Sequence, residues 1–287
     1  MTPKGHIMTE NPLKKYSERP GTYITLPSGG RYYDTPPRMT ADDELEVRPM
    51  TASDEIRLKN PDGLMNSDSL YQVIEHIAPG ITDARKIPTP DLDIIVIGMR
   101  IATYGETMNI NVRCTKCSHD SEYQINLMGI LANARKIEGA DQVEIGELKV
   151  NIMPHTSESN TMLNNYQVEL VRAARAIESA IAADKEPLNQ QLSEIIDRGS
   201  RLVFEIATKH IRSVETPDGI IVTEPDFIAE FLRELPAPEY QIIRDAVNKL
   251  SKEVIDRSVK FKCGECDKEN KVEVAFDPAN FFANSSL

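Results

Sequence analysis

The sequence predicts an α+β fold in which one four-cysteine, zinc-ribbon-like site is formed by two β-knuckles that lie far apart along the chain. All four cysteines fall into two CxxC pairs, Cys114 with Cys117 and Cys263 with Cys266, and strand-like runs flank each pair. Between the pairs, apolar residues recur with helical spacing instead. We therefore expect a mixed N-terminal domain and a C-terminal ribbon, interrupted by a helical insertion.

The composition is that of a globular protein with an acidic balance. The chain has 287 residues and a formal net charge of -12, and it contains no tryptophan. A surface that binds nucleic acid needs basic charge and favours stacking aromatics, so nucleic acid is not an expected partner. The most apolar stretch, 94–102, is about half the ~20 residues of a membrane span, so no span is expected. Residues 1–10 lack the apolar core of a signal peptide, and we expect a reducing cytosol, where paired cysteines favour metal over disulfide.

The region 21–155 is expected to be an α/β domain that follows a flexible arm, 1–20. β-rich runs on both sides of a Gly-Gly turn predict a hairpin, and the spacing of Thr51 and Asp54 predicts a capping box at a helix start. The expected elements are a hairpin over 22–33, a strand over 45–47, helices from 51, over 67–77 and from 90, strands over 108–127 around the first CxxC pair, and a strand pair over 142–153 that turns at Gly146.

The region 156–257 is expected to be the helical insertion, followed by a C-terminal β-ribbon over 258–287 that holds the second knuckle and an aromatic tail. Two apolar stripes predict an antiparallel helical hairpin. A β-turn and two shorter helices, 224–235 and 239–255, complete the insertion. The stripes consist of Leu163, Tyr166, Leu170, Ala174, Ile177 and Ile181, and of Leu192, Ile195, Leu202, Ile206 and His210.

Gly199 lies inside the second helix of this hairpin. Glycine in a helix interior costs about 1 kcal/mol relative to alanine, so its presence suggests a close approach between the helices. If the hairpin turns near Glu186, the facing residues are about Ala173 and Ala174. A tolerated surface glycine is the alternative.

The two CxxC pairs predict one structural zinc ion. A tight turn between strands presents two thiolates, and tetrahedral zinc takes four sulfur ligands at about 2.3 Å. Cys114, Cys117, Cys263 and Cys266 supply all four, with no cysteine left over. The alternatives are four cysteines without metal, a redox pair, which should open a helix after a strand, and His119 in place of one cysteine. Neither knuckle has the glycine that often follows the second cysteine.

No catalytic motif stands out, and we expect a protein that is not an enzyme. The phosphate-binding, dinucleotide-binding, zinc-protease and hydrolase signatures are all missing from the sequence. Asp91 and Asp93 could be read as a catalytic acid pair. Both follow Pro90 at a helix start, however, where negative charge suits the helix dipole, and this structural interpretation is favoured.

The C-terminal segment concentrates aromatic residues. Phe276, Phe281 and Phe282 are three of the seven phenylalanines of the chain. Burial of a phenylalanine contributes about 1.5–3 kcal/mol, so we expect something to cover these rings. Either the protein's own body or a partner protein could do so, and we predict a partner-docking role for the three residues.

Several runs resemble a family of baseplate proteins from contractile-tailed, T-even-type phages. The runs that carry the resemblance are Leu26–Tyr33, Val47–Thr51 with Asp54 and Glu55, Ile101–Gly105, and Phe276–Phe282. The similarity covers roughly 22–130 and 258–283, and the helical middle carries no such signature.

The resemblance implies a late phage protein that acts in tail assembly, as a hub assembly chaperone for the baseplate. Its partners would be other baseplate or hub proteins, and it would act in the host cytoplasm or in the virion baseplate. Two alternatives remain: a permanent structural subunit of the baseplate, and a zinc-ribbon regulator that binds nucleic acid. Against the regulator, acidic residues interleave with the lysines of the second knuckle and nearly cancel their charge.

Overall fold

The computed structural model describes residues 13, 16, 19–59, 67–137, 141–180, 185–252 and 254–274. Within them the chain forms eight α-helices and small antiparallel sheets, which confirms the predicted α+β class. The strands are β1 Thr22–Thr25, β2 Glu44–Val47, β3 Thr107–Arg113, β4 Asp120–Asn126, β5 Gln142–Ile145, β6 Leu148–Ile152, β7 Ile211–Glu215, β8 Ile221–Val222, β9 Ser258–Lys262 and β10 Glu269–Glu273. The helices are α1 Ala52–Leu58, α2 Asp68–Ile77, α3 Thr89–Tyr104, α4 Leu127–Ala132, α5 Ser157–Ser179, α6 Lys185–Lys209, α7 Pro225–Glu234 and α8 Ala237–Leu250.

Helix α3 lies at the centre of the first hydrophobic core. The helix predicted from 90 is thus present: it begins with Pro90 in its first turn, and its residues from Ile94 to Ile101 are all buried. β1, β2 and α2 contribute buried side chains to the same core, among them Ile24, Leu45 and Ile74. A Cβ atom added at Gly98 would lie 3.0 Å from a methyl group of Ile24, so the absence of a side chain lets β1 approach the helix closely.

The predicted hairpin over 22–33 is wrong, although its first strand is present. β1 pairs antiparallel with β2, the strand predicted over 45–47. After β1 the chain turns, with positive φ angles of 62° at Gly29, 76° at Gly30 and 69° at Tyr32. A strand cannot continue through such angles, so this run forms a compact turn that directs side chains toward α3.

A second core lies between the four-stranded sheet β5-β6-β7-β8 and helices α7 and α8. The sheet contributes buried Val150 and Ile152 from β6, and α8 contributes Ile243 and Val247. β7 comes from the region expected to be helical and pairs with β6 of the preceding region, so this sheet spans the boundary predicted at 155 and 156. The domain limits themselves stay a prediction.

Helices α5 and α6 form an antiparallel hairpin with one narrow seam. The residues at the seam are buried or half-buried and repeat at intervals of three and four: Leu163, Tyr166, Leu170, Ala173 and Ile177 on α5, and Leu188, Leu192, Ile195, Gly199, Leu202 and Ile206 on α6. A Cβ atom added at Gly199 would lie 2.1 Å from Cζ of Tyr166. The close approach at Gly199 is thus present, but its partner is the Tyr166 ring and not Ala173 or Ala174.

Candidate metal centre

Two hairpins with the same loop length bring the four cysteines together. β3 pairs with β4 up to Arg113 and Asp120, and β9 pairs with β10 up to Lys262 and Glu269. Each loop therefore has six residues and contains one CxxC pair. Side chains alternate between the two faces of each strand, and each hairpin turns an apolar face inward. This alternation is the strand-like pattern that the sequence shows on both sides of each CxxC pair.

The two loops also share one hydrogen-bond pattern. In each, the amide of the first cysteine donates to the carbonyl five residues later, and the residue after the second cysteine donates back to the carbonyl of the first, all at 2.9 to 3.0 Å. The residue that donates this second hydrogen bond has a left-handed backbone in both loops, with φ of 58° at Ser118 and 59° at Asp267. Both loops thus adopt the glycine-type conformation without a glycine, which is more unusual for serine than for aspartate.

The sulfur atoms are spaced as a tetrahedral metal site requires. Cys114 Sγ lies 3.6 Å from Cys266 Sγ, and Cys117 Sγ lies 3.6 Å from Cys263 Sγ. All four sulfur atoms lie within 4.8 Å of one another. Four sulfurs at about 2.3 Å from a central ion would be about 3.8 Å apart, so the cluster could hold one metal ion with little adjustment.

A buried amide connects the two loops beside the sulfurs. Asn270 Oδ1 accepts hydrogen bonds from the amide and the hydroxyl of Thr115, at 3.1 and 2.9 Å, and Nδ2 donates to the Lys268 carbonyl. Nδ2 also lies 3.6 Å from Cys114 Sγ. Farther along the ribbon, the Tyr123 hydroxyl donates to the Lys262 carbonyl at 2.6 Å. These contacts orient one loop against the other independently of a metal.

The electrostatic surroundings favour a thiolate at the first cysteine of the N-terminal loop. Hydrogen bonds from the backbone amides of Cys117 and Lys116 lower the pKa of Cys114 to about 6, against the effect of burial. For Cys117, a hydrogen bond from the His119 amide lowers the pKa, but burial and the three neighbouring thiols outweigh it and raise the value to about 12. This contrast is the behaviour of crowded thiols that compete for negative charge, which a cation between them would relieve.

The remaining predicted site residues are placed as follows. Among the described residues, the clustered ligand atoms belong to the four cysteines, and His119 contributes its backbone carbonyl to the loop. Phe276, Phe281 and Phe282, predicted to dock a partner, lie outside the described residues. Asp91 and Asp93 do not form an acid pair but have separate structural partners.

Asp91 is the centre of a buried polar network that the sequence analysis did not anticipate. Its carboxylate accepts hydrogen bonds from the amide and the hydroxyl of Ser28 and from the hydroxyl of Tyr33 at 2.8 Å. Burial raises the pKa of Asp91 to about 6, although these donors act to lower it. Ser28 and Tyr33 belong to the run 26–33, and Asp91 follows Pro90. These polar residues in otherwise apolar surroundings were the sequence signal from which the network could have been suspected.

Asp93, two residues after Asp91 on α3, connects the ribbon to this helix. Its carboxylate forms a partly buried ion pair with Arg257, the residue just before β9. The Arg257 carbonyl in turn accepts a hydrogen bond from the Val274 amide at 2.9 Å. The base of the ribbon is therefore fixed to the first core by a side chain that the sequence analysis assigned only to a helix start.

A second cluster lies at the base of the helical hairpin. The rings of His155 and His210 meet edge to face, with centroids 4.5 Å apart, beside an apolar cavity of about 270 Å³ that Val203 and Val247 also line. Burial, reinforced by His155, lowers the pKa of His210 to about 3, so this ring is neutral at physiological pH. The sequence analysis placed His210 in the second helix of the hairpin, but the residue follows the end of α6 directly.

Within the described residues, no helix has the length and apolar character needed to cross a membrane. No curated protein and no solved structure gives a significant match to the chain. A family model described as T4 bacteriophage base plate protein matches residues 21–283, a range that includes both CxxC pairs and the helical hairpin between them.

Proposed function

Because the chain belongs to the T4 bacteriophage base plate protein family, we propose that it is a non-enzymatic assembly protein of the phage tail baseplate. In this role it acts as a chaperone for assembly of the hub, through contacts with other baseplate or hub proteins, in the host cytoplasm. The observation that carries the proposal is the family match over nearly the whole chain. The match also supports association with the virion, and a permanent structural subunit is therefore the second candidate.

The four cysteines are proposed to hold one structural zinc ion. The sulfur spacing fits tetrahedral coordination, and the charge competition among the thiols calls for a cation. Four protein ligands fill a tetrahedral site and leave no position for substrate, which fits a structural role. Asn270 supports this centre from outside through its contact with Cys114 Sγ and its hydrogen bonds to Thr115, as the hydrogen-bond partners of metal ligands commonly do.

A nucleic-acid-binding regulator receives less support. The lysines near the second knuckle are accompanied by acidic neighbours, and Lys262 pairs with Asp267 at 3.0 Å. With a net charge of -12 over the chain, release of counterions from phosphates would contribute little to binding.

Quantitative mass spectrometry of purified phage particles separates the two baseplate roles. A chaperone should be present in infected cells and absent from mature particles, whereas a structural subunit should be retained in fixed proportion to the other baseplate proteins. In parallel, a phage with a stop codon in this reading frame should accumulate incomplete hubs. Normal baseplates without this chain would overturn both roles.

Elemental analysis of the purified chain tests the metal. We expect about one zinc per chain. Cys263→Ser should lose it, while Ser118→Gly, which relieves the left-handed backbone beside the site, should keep it. Zinc well below one per chain in the freshly folded wild-type protein would refute the zinc proposal without affecting the baseplate role.

A further inference from the structure

The helical hairpin has two flanks of different chemistry. Glu169 on α5 forms an ion pair with Arg198 on α6 across one flank. Helical spacing places further charged residues on that same flank: Arg172, Glu194, Arg201 and Glu205. This flank is therefore built to face water, with opposite charges interspersed.

The opposite flank is almost uncharged and carries exposed branched apolar side chains. Val171 on α5 and Ile196 on α6 are each 46% exposed, and Val203, one heptad after Ile196, is 39% exposed. Small or amide side chains surround them: Asn164, Gln167, Ala174, Ser193, Ser200 and Ala207. Charges appear at its edge, at Arg175, and toward the tip of the hairpin, at Glu178 and Lys185. Depletion of charge around exposed aliphatic residues is the mark of an interface core.

The seam explains why most of this flank is not covered within the chain. α5 and α6 contact each other through one row of residues each, with Gly199 against Tyr166, and that single row leaves the flank open around Val171 and Ile196. At the base of the flank, Ala207 packs against the second core. There Val203 also lines the cavity beside His210, so the apolar surface continues from the hairpin into the body. A third and fourth helix would complete a four-helix bundle on this side.

We propose that the uncharged flank, defined by Val171, Ile196 and Val203, is a dimerisation surface that packs against the same flank of a second copy of this chain. Charges beside a helical seam normally select a distinct partner, and the part of this flank around Val171, Ile196 and Val203 carries none. The matching surface that the molecule itself presents is the same flank on another copy, which a two-fold axis would bring face to face.

Charge and area both permit this pairing. The chain as a whole has a net charge of -12, which repels a second copy, but α5 and α6 together carry seven acidic and six basic residues. The 23 residues of α5 span about 34 Å, and two helices side by side give a footprint of roughly 600 Å² per copy. About 1,200 Å² in total lies at the lower limit of stable specific interfaces, so a dimer of modest affinity is expected.

Sedimentation velocity of the full, zinc-loaded chain tests the proposal over about 1 to about 100 µM, a range that brackets modest affinities. The wild-type chain should pass from monomer to dimer. Val171→Glu and Ile196→Glu should each weaken the dimer by about tenfold or more, because each places a charge in an apolar contact. Ala176→Glu, at an exposed position on the charged flank, should leave the dimer unchanged.

Thermal melts of the variants show whether the fold is kept, and Ile196→Gln supplies a milder change if Ile196→Glu unfolds. A wild-type chain that stays monomeric at the highest concentration would overturn the proposal and would leave this flank to a different baseplate protein. Equal weakening by Ala176→Glu and Ile196→Glu would also overturn it, because the dimer would then not use the uncharged flank.

Discussion

Replacing Asp91 by asparagine should reduce the dependence of stability on pH between about 4 and about 7. Burial raises the pKa of this carboxyl from its ordinary value of 3.8 to about 6 in the folded protein. Because the folded-state pKa lies above the unfolded value, the carboxyl binds its proton more tightly in the folded state. Its contribution to stability is therefore fully present below pH about 3.8 and is lost as the pH rises through about 6.

The size of the effect follows from the difference between these two values. One pKa unit corresponds to about 1.4 kcal/mol, so the wild-type protein should lose about 3 kcal/mol relative to Asp91→Asn across this range. Asparagine can still accept from the Ser28 amide and can donate to the Ser28 or Tyr33 hydroxyl, so the variant should fold. Any constant cost of altered hydrogen bonding shifts the whole curve and leaves its slope unchanged.

Urea unfolding at a series of pH values, compared between the two proteins, measures this difference. Groups that titrate in both proteins, such as the buried His210, cancel in the comparison. Tyr33→Phe removes a hydrogen bond that lowers the pKa of Asp91, so it should extend the pH-dependent loss of stability to higher pH and make the total loss larger. Parallel curves for wild type and Asp91→Asn, or a wild type that gains relative stability as the pH rises, would show that the donors outweigh burial and would refute the reasoning.

Three further predictions concern the ribbon, the hairpin and the tail. Asn270→Ala should weaken zinc binding about 10- to 100-fold in chelator competition, because it removes the hydrogen bonds that orient the two loops; unchanged affinity would contradict this. Gly199→Ala should lower the melting temperature, because the new Cβ collides with the Tyr166 ring, yet raise it in a Tyr166→Ala background, where the helix gain of about 1 kcal/mol remains. Joint replacement of Phe281 and Phe282 by alanine should reduce phage assembly with an unchanged melting temperature; a lower melting temperature would mean that the rings pack on the protein itself.

Elements that depend on local signals were predictable from the sequence. The capping box at Thr51 and Asp54 is present with both of its hydrogen bonds. The buried helix α3, the turn at Gly146 and the strands around both CxxC pairs also lie where they were expected, because periodicity and turn chemistry act over a few residues. The four cysteines could be grouped because zinc chemistry limits how many ligands a site takes.

Features set by tertiary packing were not predictable in the same way. The run after β1 has the composition of a hairpin strand, but hydrogen bonding of Ser28 and Tyr33 to Asp91, some sixty residues away, selects a turn instead. The partner of Gly199 differed because the position of the hairpin turn fixes which residues face each other. An error of about three or four residues in the turn moves the contact by twice as many residues, here from Ala173 to Tyr166, or two helical turns. β7 was missed because a short strand beside a long helix has a weak pattern of its own.

The cysteine centre also imposes an order on how the protein is made. Cys117 and Cys263 stand 146 residues apart, so a metal ion held by the four cysteines would close one very long loop, whose closure in an unfolded chain costs several kcal/mol of entropy. During synthesis, at roughly 5–20 residues per second, the first two cysteines leave the ribosome about 7 to 30 seconds before the second two. Only a chain read through to Cys266 can complete the site. A truncated product would keep two ligands and an unpaired hairpin, so the centre distinguishes finished chains from unfinished ones before they meet their partners.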